Sequence, residues 1–282
     1  GPGIENAFGG IAHAYSDSVP ILVIPGGTAR GRAGSQPDFS AVANYGGVTK
    51  WAAQINQGDR VPEFLRRAHT YLRAGRGAPV LLEVPADVAA EELSDDAFHY
   101  LPVQAYRSAG DPADVRAAAA ALLAAKRPMI FAGQGVLWAE ASEQLVQLAE
   151  LLDAPVATTN SGKSAFPESH PLALGAAGNT VTKMARHFLN EADCVLGIGA
   201  SFTTNLASTA IPPGKVLVQS TVDAQDLNKE HHLDHAIIGD AQLVLGQLID
   251  EVQSQVGGSA RTDGGVAAEV AQIRAEFYDE WM

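Results

Sequence analysis

Short apolar runs of strand length alternate along this chain with longer stretches whose apolar residues recur at helical spacing. This alternation is typical of βα units that build a mostly parallel sheet. The apolar runs predict strands at residues 20–24, 79–84, 128–132, 154–158, 194–198, 215–219 and 236–238. The helical spacing predicts helices at residues 4–16, 62–75, 112–125, 139–152, 181–190, 240–252 and 266–281. We therefore predict an α/β protein.

The distribution of these elements predicts two domains. Residues 1–88 contain two predicted strands, fewer than a doubly wound sheet normally has, so we expect this region to be part of a larger domain. Residues 111–256 contain five strands and could fold alone, and residues 89–110 are acidic and aperiodic, as an interdomain linker would be. Residues 257–282 are expected to form a flexible glycine-rich stretch and a last helix. We expect the chain to be cut from a longer protein.

Charge and composition exclude several functional classes. The formal net charge of -13 opposes binding to a phosphate backbone, so we expect no nucleic-acid partner. The longest apolar runs are far too short to cross a membrane. The single cysteine, Cys194, lies in the apolar run 194–198 and is predicted to be an unreactive core residue. These features suit a cytoplasmic protein.

The first residues of the chain form a candidate ligand-binding turn. Gly1, Pro2 and Gly3 precede a predicted helix, and Asn6 lies in the first turns of that helix. Backbone N–H groups and an asparagine amide at such a position can meet a polar ligand edge. Considered in isolation, these residues are explained better as an ordinary loop-to-helix turn.

The order and spacing of several sequence blocks, however, resemble the superfamily of thiamine-diphosphate-dependent decarboxylases and carboligases, of the acetolactate synthase and benzoylformate decarboxylase type. The resemblance runs from residue 1 to about residue 249. Its blocks are Gly-Pro-Gly-x-x-Asn at 1–6, the helix end and strand at 14–26, Thr49-Lys50-Trp51, residues 77–88, residues 126–135, residues 162–171 and the strand with two glycines at 194–199.

The resemblance implies a fold and an activity. It implies that residues 1–88 are the C-terminal part of a pyrimidine-binding domain and that residues 111–256 are a Rossmann-like central domain. The parent enzyme would act on a small 2-oxo acid by decarboxylation or carboligation, with thiamine diphosphate and Mg²⁺ as cofactors. It would be a homodimer or homotetramer, because the site in this family forms between subunits.

The resemblance also assigns site residues. Gly1, Pro2, Gly3 and Asn6 would form one wall of the cofactor pocket. The glutamate that promotes the reactive ylid would lie upstream of this chain, and the diphosphate-binding domain with its Gly-Asp-Gly motif would follow residue 282. We therefore assign no catalytic and no metal-binding residue here, and we expect the chain alone to be inactive.

One block departs from the acetolactate synthase pattern. Those enzymes have a Phe-Gln-Glu block whose glutamine lines the active site, and the corresponding residues here are Phe39, Ser40 and Ala41, after Asp38. This departure favours a relative of acetolactate synthase that uses a different acceptor or donor substrate.

The central domain raises the question of a nucleotide. Gly197 and Gly199 follow a predicted strand, and Asp223 follows a later one, where an acidic residue can meet a ribose hydroxyl. The third glycine of the dinucleotide fingerprint is missing, and Ser201-Phe202-Thr203 replaces the Arg-Phe-Asp block of the FAD-bearing synthases. We expect an empty central domain. The alternative is a non-catalytic module that binds FAD or ADP or serves regulation.

A histidine-rich segment suggests a metal site at first sight. His231 and His235 would share one face of a helix at i, i+4 spacing. The segment is predicted to be a polar loop instead, and no glutamate completes a metalloprotease pattern. We therefore expect no metal there.

Overall fold

The structure, a computed structural model, describes residues 1–35, 38–178, 180–204, 208–257 and 265–279. The chain forms two compact units, Gly1–Arg107 and a second unit that begins at Ser108. All pairs of named strands in the described residues are parallel, and helices alternate with them. The α/β class predicted from the apolar pattern is confirmed. The finer domain limits at residues 88, 111 and 256 stay a prediction.

The first unit is built around one long, buried strand. Its elements are α1 (Pro2–Ser16), β1 (Leu22–Val23), β2 (Gly26–Gly27), α2 (Ala41–Tyr45), β3 (Trp51–Gln54), α3 (Val61–Arg73), β4 (Val80–Pro85) and α4 (Ala86–Ala89). Strand β4 pairs with β1, β2 and β3. Val80 and Leu82 pack with Phe64, whereas Leu81 packs in a separate cluster with Tyr45. Because both faces of β4 are buried, its sequence is almost continuously apolar.

The prediction of only two strands in this unit was wrong. Strand β3 contains two alanines and β2 consists of two glycines, and both residue types are uncommon in strands. These segments become strands because β4 offers them hydrogen-bond partners. The predicted strand at residues 20–24 shortens to Leu22–Val23, and Ile24 lies outside it with an exposed side chain.

The second unit contains a six-stranded sheet. Its elements are α5 (Pro112–Ala124), β5 (Pro128–Ala132), α6 (Gln134–Trp138), α7 (Ser142–Leu152), β6 (Val156–Thr158), β7 (Ala173–Ala176), α8 (Lys183–Glu191), β8 (Cys194–Ile198), β9 (Val216–Thr221), β10 (His235–Ile238), α9 (Ala241–Val256) and α10 (Gly265–Asp279). The strand order is β10-β9-β8-β5-β6-β7. Numbered by appearance within the unit and read from the β7 edge, the order is 3-2-1-4-5-6, which is the order of the Rossmann fold.

Helices cover both faces of this sheet. Helices α5, α6, α7 and α9 bury apolar side chains in one cluster, and α8 and α10 in the other. The Asp240 side chain accepts hydrogen bonds from the backbone N–H groups of Gln242 and Leu243 at 3.1 and 3.3 Å, so it caps α9. Pro112 stands in the first turn of α5. Both helix starts expected from the sequence are therefore confirmed.

Three details of this unit differ from the sequence prediction or fall outside the described residues. Strand β7 was not predicted. The helix expected at residues 139–152 starts only at Ser142, as α7, and the preceding α6 was not predicted. Glu140 lies between the two helices and has a left-handed backbone with φ of 54°. The end of the last predicted helix, at Trp281, and most of the predicted flexible stretch, 258–264, lie outside the described residues.

Within the described ranges, every helix is too short or too polar to cross a bilayer.

Candidate functional site

The turn at the start of α1 presents polar groups to open space. Gly1 caps α1, Pro2 occupies its first turn, and the Gly1 carbonyl oxygen accepts a hydrogen bond from the Ile4 backbone N–H at 3.1 Å. Gly1, Pro2, Gly3 and Asn6 are all exposed, and no atom lies within 4 Å of a Cβ built on either glycine. The turn is therefore free to meet a ligand. The role of these four residues stays a prediction.

A buried tyrosine holds this turn in place. The Tyr45 hydroxyl donates to the Ile4 carbonyl oxygen, and the Tyr45 ring packs edge-on against Phe8 with centroids 5.1 Å apart. Burial raises the pKa of Tyr45, so the hydroxyl remains protonated and stays a donor. Sequence reasoning missed Tyr45, because no local signal joins residues 41 positions apart.

The segment that departs from the synthase pattern is fixed by local bonds. Thr28 Oγ1 donates to Asp38 Oδ1 at 2.7 Å, and Phe39 packs against the apolar cluster around α1 and α2. Ser40 accepts a hydrogen bond from the Ala43 backbone N–H at 3.2 Å and so caps α2. The hydroxyl that stands in place of the synthase glutamine thus serves the start of a helix.

Arg30, in the segment before α2, binds residues that follow strands β3 and β4. Its Nε lies 2.7 Å from Asp87 Oδ2, its Nη2 lies 2.7 Å from Glu91 Oε1, and its Nη1 donates to the Asn56 carbonyl oxygen at 2.8 Å. The hydrogen bond between Arg30 and Asp87 raises the pKa of the guanidinium and lowers the pKa of the carboxyl group. Both groups are therefore charged at neutral pH, and their pairing persists there.

A buried carboxylate links three further pieces of the unit. Glu83, in β4, is 4% exposed. Its Oε1 accepts from Gln54 Nε2 at 2.6 Å, and its Oε2 accepts from the Ala41 backbone N–H at 3.1 Å. A Cβ on Gly27 would lie 2.8 Å from Glu83 Cγ, so β2 needs a glycine here. No local pattern points to this carboxylate, because Glu83 is embedded in an apolar run.

In the second unit, the loops after β5 and β8 meet at the carboxyl edge of the sheet, where folds of this strand order place a nucleotide. Because β5 is the first strand of the unit, the fingerprint position is 133–138, and not 197–199 as the sequence suggested. The segment has Gly133 and Gly135 but Trp138 in place of the third glycine. The Gly135 backbone N–H donates to the Gly199 carbonyl oxygen at 3.0 Å. That amide is therefore not free to bind a phosphate.

The other residues considered for a nucleotide also have partners within the protein. A Cβ on Gly197 would lie 2.3 Å from the Phe202 ring, so this glycine makes room for an aromatic side chain. Asp223 Oδ1 accepts from the Gln225 backbone N–H at 3.0 Å and caps a short 3₁₀ turn. Its role toward a ribose stays a prediction.

The histidine pair does not lie on a helix. His235 begins β10, and the His231 ring contacts Phe202 edge-on with centroids 6.3 Å apart. No cluster of three or more His, Cys, Asp or Glu side chains suited to a metal ion occurs in the part of the chain that the structure describes.

Comparison with known proteins gives consistent matches. Residues 115–248 match the family described as the central domain of thiamine pyrophosphate enzymes, thiamine pyrophosphate being another name for thiamine diphosphate. The chain is 33% identical over 258 residues to a Methanocaldococcus jannaschii protein named "Probable acetolactate synthase large subunit", covering 88% of this chain and 44% of that protein. It is 30% identical over 262 residues to the acetolactate synthase isozyme 3 large subunit of Escherichia coli, covering 89% of this chain and 45% of that protein.

The fold is also known from a crystal structure. Benzoylformate decarboxylase from Polynucleobacter necessarius matches with a TM-score of 0.77 at 24% identity, over 89% of this chain and 48% of that chain. The chain thus spans less than half the length of the relatives it matches. The family match and the similarity to acetolactate synthases support a thiamine-diphosphate-dependent enzyme family for this chain, and residues 115–248 match the central domain of that family.

Proposed function

We propose that this chain is part of a thiamine-diphosphate- and magnesium-dependent enzyme that decarboxylates or joins 2-oxo acids. The observation that carries the proposal is the similarity to acetolactate synthases over 258 residues. This alignment is longer than either compact unit, so the similarity extends over both. A chain that resembled only the central domain would support a nucleotide-binding module equally well.

The exposed turn of α1 fits one wall of the cofactor pocket. Gly1, Pro2, Gly3 and Asn6 are proposed to orient the pyrimidine of thiamine diphosphate, and their exposure and the open space around the glycines support this role. When bound, the cofactor supplies an electron sink for the carbanion left after cleavage of a 2-oxo acid. The contribution of this chain is to position one edge of the cofactor with backbone groups and one amide.

Other parts of the machinery are proposed to lie on residues beyond these. The described residues provide no metal-ligand cluster, so we propose that a further domain binds Mg²⁺ and the diphosphate and that the ylid-promoting glutamate lies elsewhere in the parent enzyme. On this proposal the chain alone is inactive, and the intact enzyme is a cytoplasmic homodimer or homotetramer. Ser40 and Ala41, which replace the Gln-Glu of the synthase block, favour a substrate pair other than that of acetolactate synthase.

We also propose that the central domain binds no nucleotide. The bond between the Gly135 amide and the Gly199 carbonyl oxygen supports this, because it occupies a donor that a phosphate would need. A purified protein that is yellow, with flavin absorbance released on denaturation, would overturn the proposal and favour an FAD-binding module.

The main test is calorimetric titration of the full-length enzyme with thiamine diphosphate, with and without Mg²⁺. We expect magnesium-dependent binding that Asn6→Ala weakens about tenfold, since one polar contact to the cofactor is lost. Gln253→Ala removes an exposed amide from α9 and serves as the matched control, with unchanged affinity. An intact enzyme that binds no thiamine diphosphate contradicts the proposed function.

A further inference from the structure

We propose that Tyr45 is a positioning residue for the cofactor-facing turn of α1, and that Glu83 fixes the opposite end of the same short helix, α2. The inference rests on the proposed function for its cofactor, but its structural part stands on hydrogen bonds within the first unit. Helix α2 would then hold the cofactor wall and the segment around Phe39 in one fixed arrangement.

The contact at the Tyr45 end reaches the middle of the proposed cofactor wall. Tyr45 is fully buried, and its hydroxyl donates to the Ile4 carbonyl oxygen. Ile4 lies between Pro2 and Asn6 in the chain, and its own N–H is bonded to Gly1. A shift of Tyr45 therefore moves the turn that carries the predicted cofactor contacts.

The same end of α2 is anchored in the core. The Tyr45 backbone carbonyl oxygen accepts a hydrogen bond from the Thr49 hydroxyl at 2.8 Å, and Thr49 is buried. The Tyr45 ring also contacts Phe8, one turn further along α1. Tyr45 is thus held by its backbone, its ring and its hydroxyl, and the position from which the hydroxyl donates to Ile4 is restricted.

The contact at the other end begins at the buried carboxylate. Glu83 Oε2 accepts from the Ala41 backbone N–H, the first residue of α2, and Gln54 holds the second carboxylate oxygen. A helix of five residues is not stable without such external contacts. Because Ala41 directly follows Phe39-Ser40, Glu83 also fixes the segment that replaces the synthase glutamine block.

The first experiment measures amide hydrogen exchange in the full-length enzyme without cofactor. Tyr45→Phe removes only the hydroxyl, and we expect exchange of the amides of residues 4–10 to become about three- to tenfold faster, as the loss of one buried hydrogen bond predicts. Tyr71→Phe is the matched control, because Tyr71 is partly exposed and uses its ring to contact Trp51. Unchanged exchange in α1 of Tyr45→Phe overturns the positioning role.

The second experiment measures cofactor binding and turnover in the full-length enzyme. We expect Tyr45→Phe to raise the dissociation constant of thiamine diphosphate about fivefold, in line with one lost hydrogen bond, while kcat at saturating cofactor changes less than twofold. If the wild-type enzyme binds the cofactor and Tyr45→Phe binds it equally well, the proposal is overturned. Wild-type enzyme that binds none defeats the proposed function instead, and faster exchange in Tyr45→Phe would still support the structural role.

A second variant covers the case in which Tyr45→Phe does not fold. Glu83→Gln keeps the side-chain shape and replaces one acceptor oxygen by an amide, so it disturbs the opposite end of α2. We expect faster exchange in α2 and, to a smaller extent, in residues 4–10 of α1. Faster exchange in α2 with no change in α1 would show that α2 does not couple the two segments, and would overturn the proposal.

Discussion

Gly133 and Gly199 are in backbone contact: a Cβ built on Gly133 would lie 2.1 Å from the Gly199 carbonyl oxygen. The two residues belong to the loops after β5 and β8, and the contact brings these loops together at the carboxyl edge of the central sheet. Gly199 has a left-handed backbone with φ of 58°, which also favours glycine. Gly199, one of the two glycines that suggested a nucleotide site, thus has a structural reason of its own.

Replacement of Gly133 should be costly. In Gly133→Ala the methyl group collides with backbone atoms that cannot rotate away, and we expect the free energy of unfolding of the second unit to fall by about 3 kcal/mol. Gly246→Ala, in α9, is the matched control, because no atom lies within 4 Å of its Cβ position. That variant should gain about 0.5–1 kcal/mol from higher helix propensity. Urea denaturation monitored by circular dichroism measures both, and equal stabilities would contradict the contact.

Helix α10 is held to the rest of the second unit by a cluster of charged and polar side chains. Arg127 Nη2 lies 2.9 and 3.0 Å from the two carboxylate oxygens of Glu269, and His187 Nε2 lies 2.6 Å from one of them. Burial raises the pKa of Glu269, but the hydrogen bonds from Arg127 and His187 outweigh burial, and the pKa is lowered overall.

This cluster makes the stability of the second unit sensitive to acid. A carboxyl group whose pKa is lower in the folded state stabilises the fold above its unfolded pKa, and this contribution is lost as the pH falls through the folded pKa. We expect Glu269→Gln to lower the free energy of unfolding by about 1–2 kcal/mol at pH 7. Below about pH 4 the difference in stability between the variant and the unchanged chain should be smaller. Urea titrations from pH 3 to 7 measure this. The exposed Glu276→Gln on the same helix is the control, and an equal loss in both variants would argue against the cluster.

Cys194 should be unreactive until the protein unfolds. It is 1% exposed, and burial, helped by Asp193 and Asp234, raises the pKa of its thiol to about 12. Because the thiolate is the reactive species, alkylation at pH 8 should be at least ~100-fold slower in the folded chain than in denaturing urea. As Cys194 is the single cysteine, the total incorporated label reports on this residue alone. Rapid labelling without denaturant would show that β8 opens easily.

Asp240 should stabilise the second unit by capping the start of α9. Asp240→Ala removes the acceptor for two backbone N–H groups at the start of α9, and we expect a loss of about 1 kcal/mol in the free energy of unfolding. Asp250→Ala changes an exposed aspartate within the same helix and should cost less than about 0.5 kcal/mol. Thermal denaturation of the two variants separates the cap from the general effect of losing a negative charge.

Local signals explain why much of the fold could be predicted from the sequence. Continuous apolar runs predicted β5 and β8 to the residue, because a strand buried on both faces has no polar positions to obscure it. Helix α5 was predicted almost as well, since Pro112 and the preceding Asp111 mark its start. The alternation of such elements was sufficient for the α/β class.

The sequence by itself therefore determined the longer helices, the strands with continuous apolar runs such as β5 and β8, the burial of Cys194 and the family resemblance. Tertiary structure alone decided that β4 recruits Gly26–Gly27 and Trp51–Gln54 as strands, that Tyr45 bonds to Ile4, and that Gly133 meets Gly199. These contacts join residues far apart in the chain. Propensity and periodicity act over a few neighbouring residues, whereas partners such as these are selected by the packing of the whole unit.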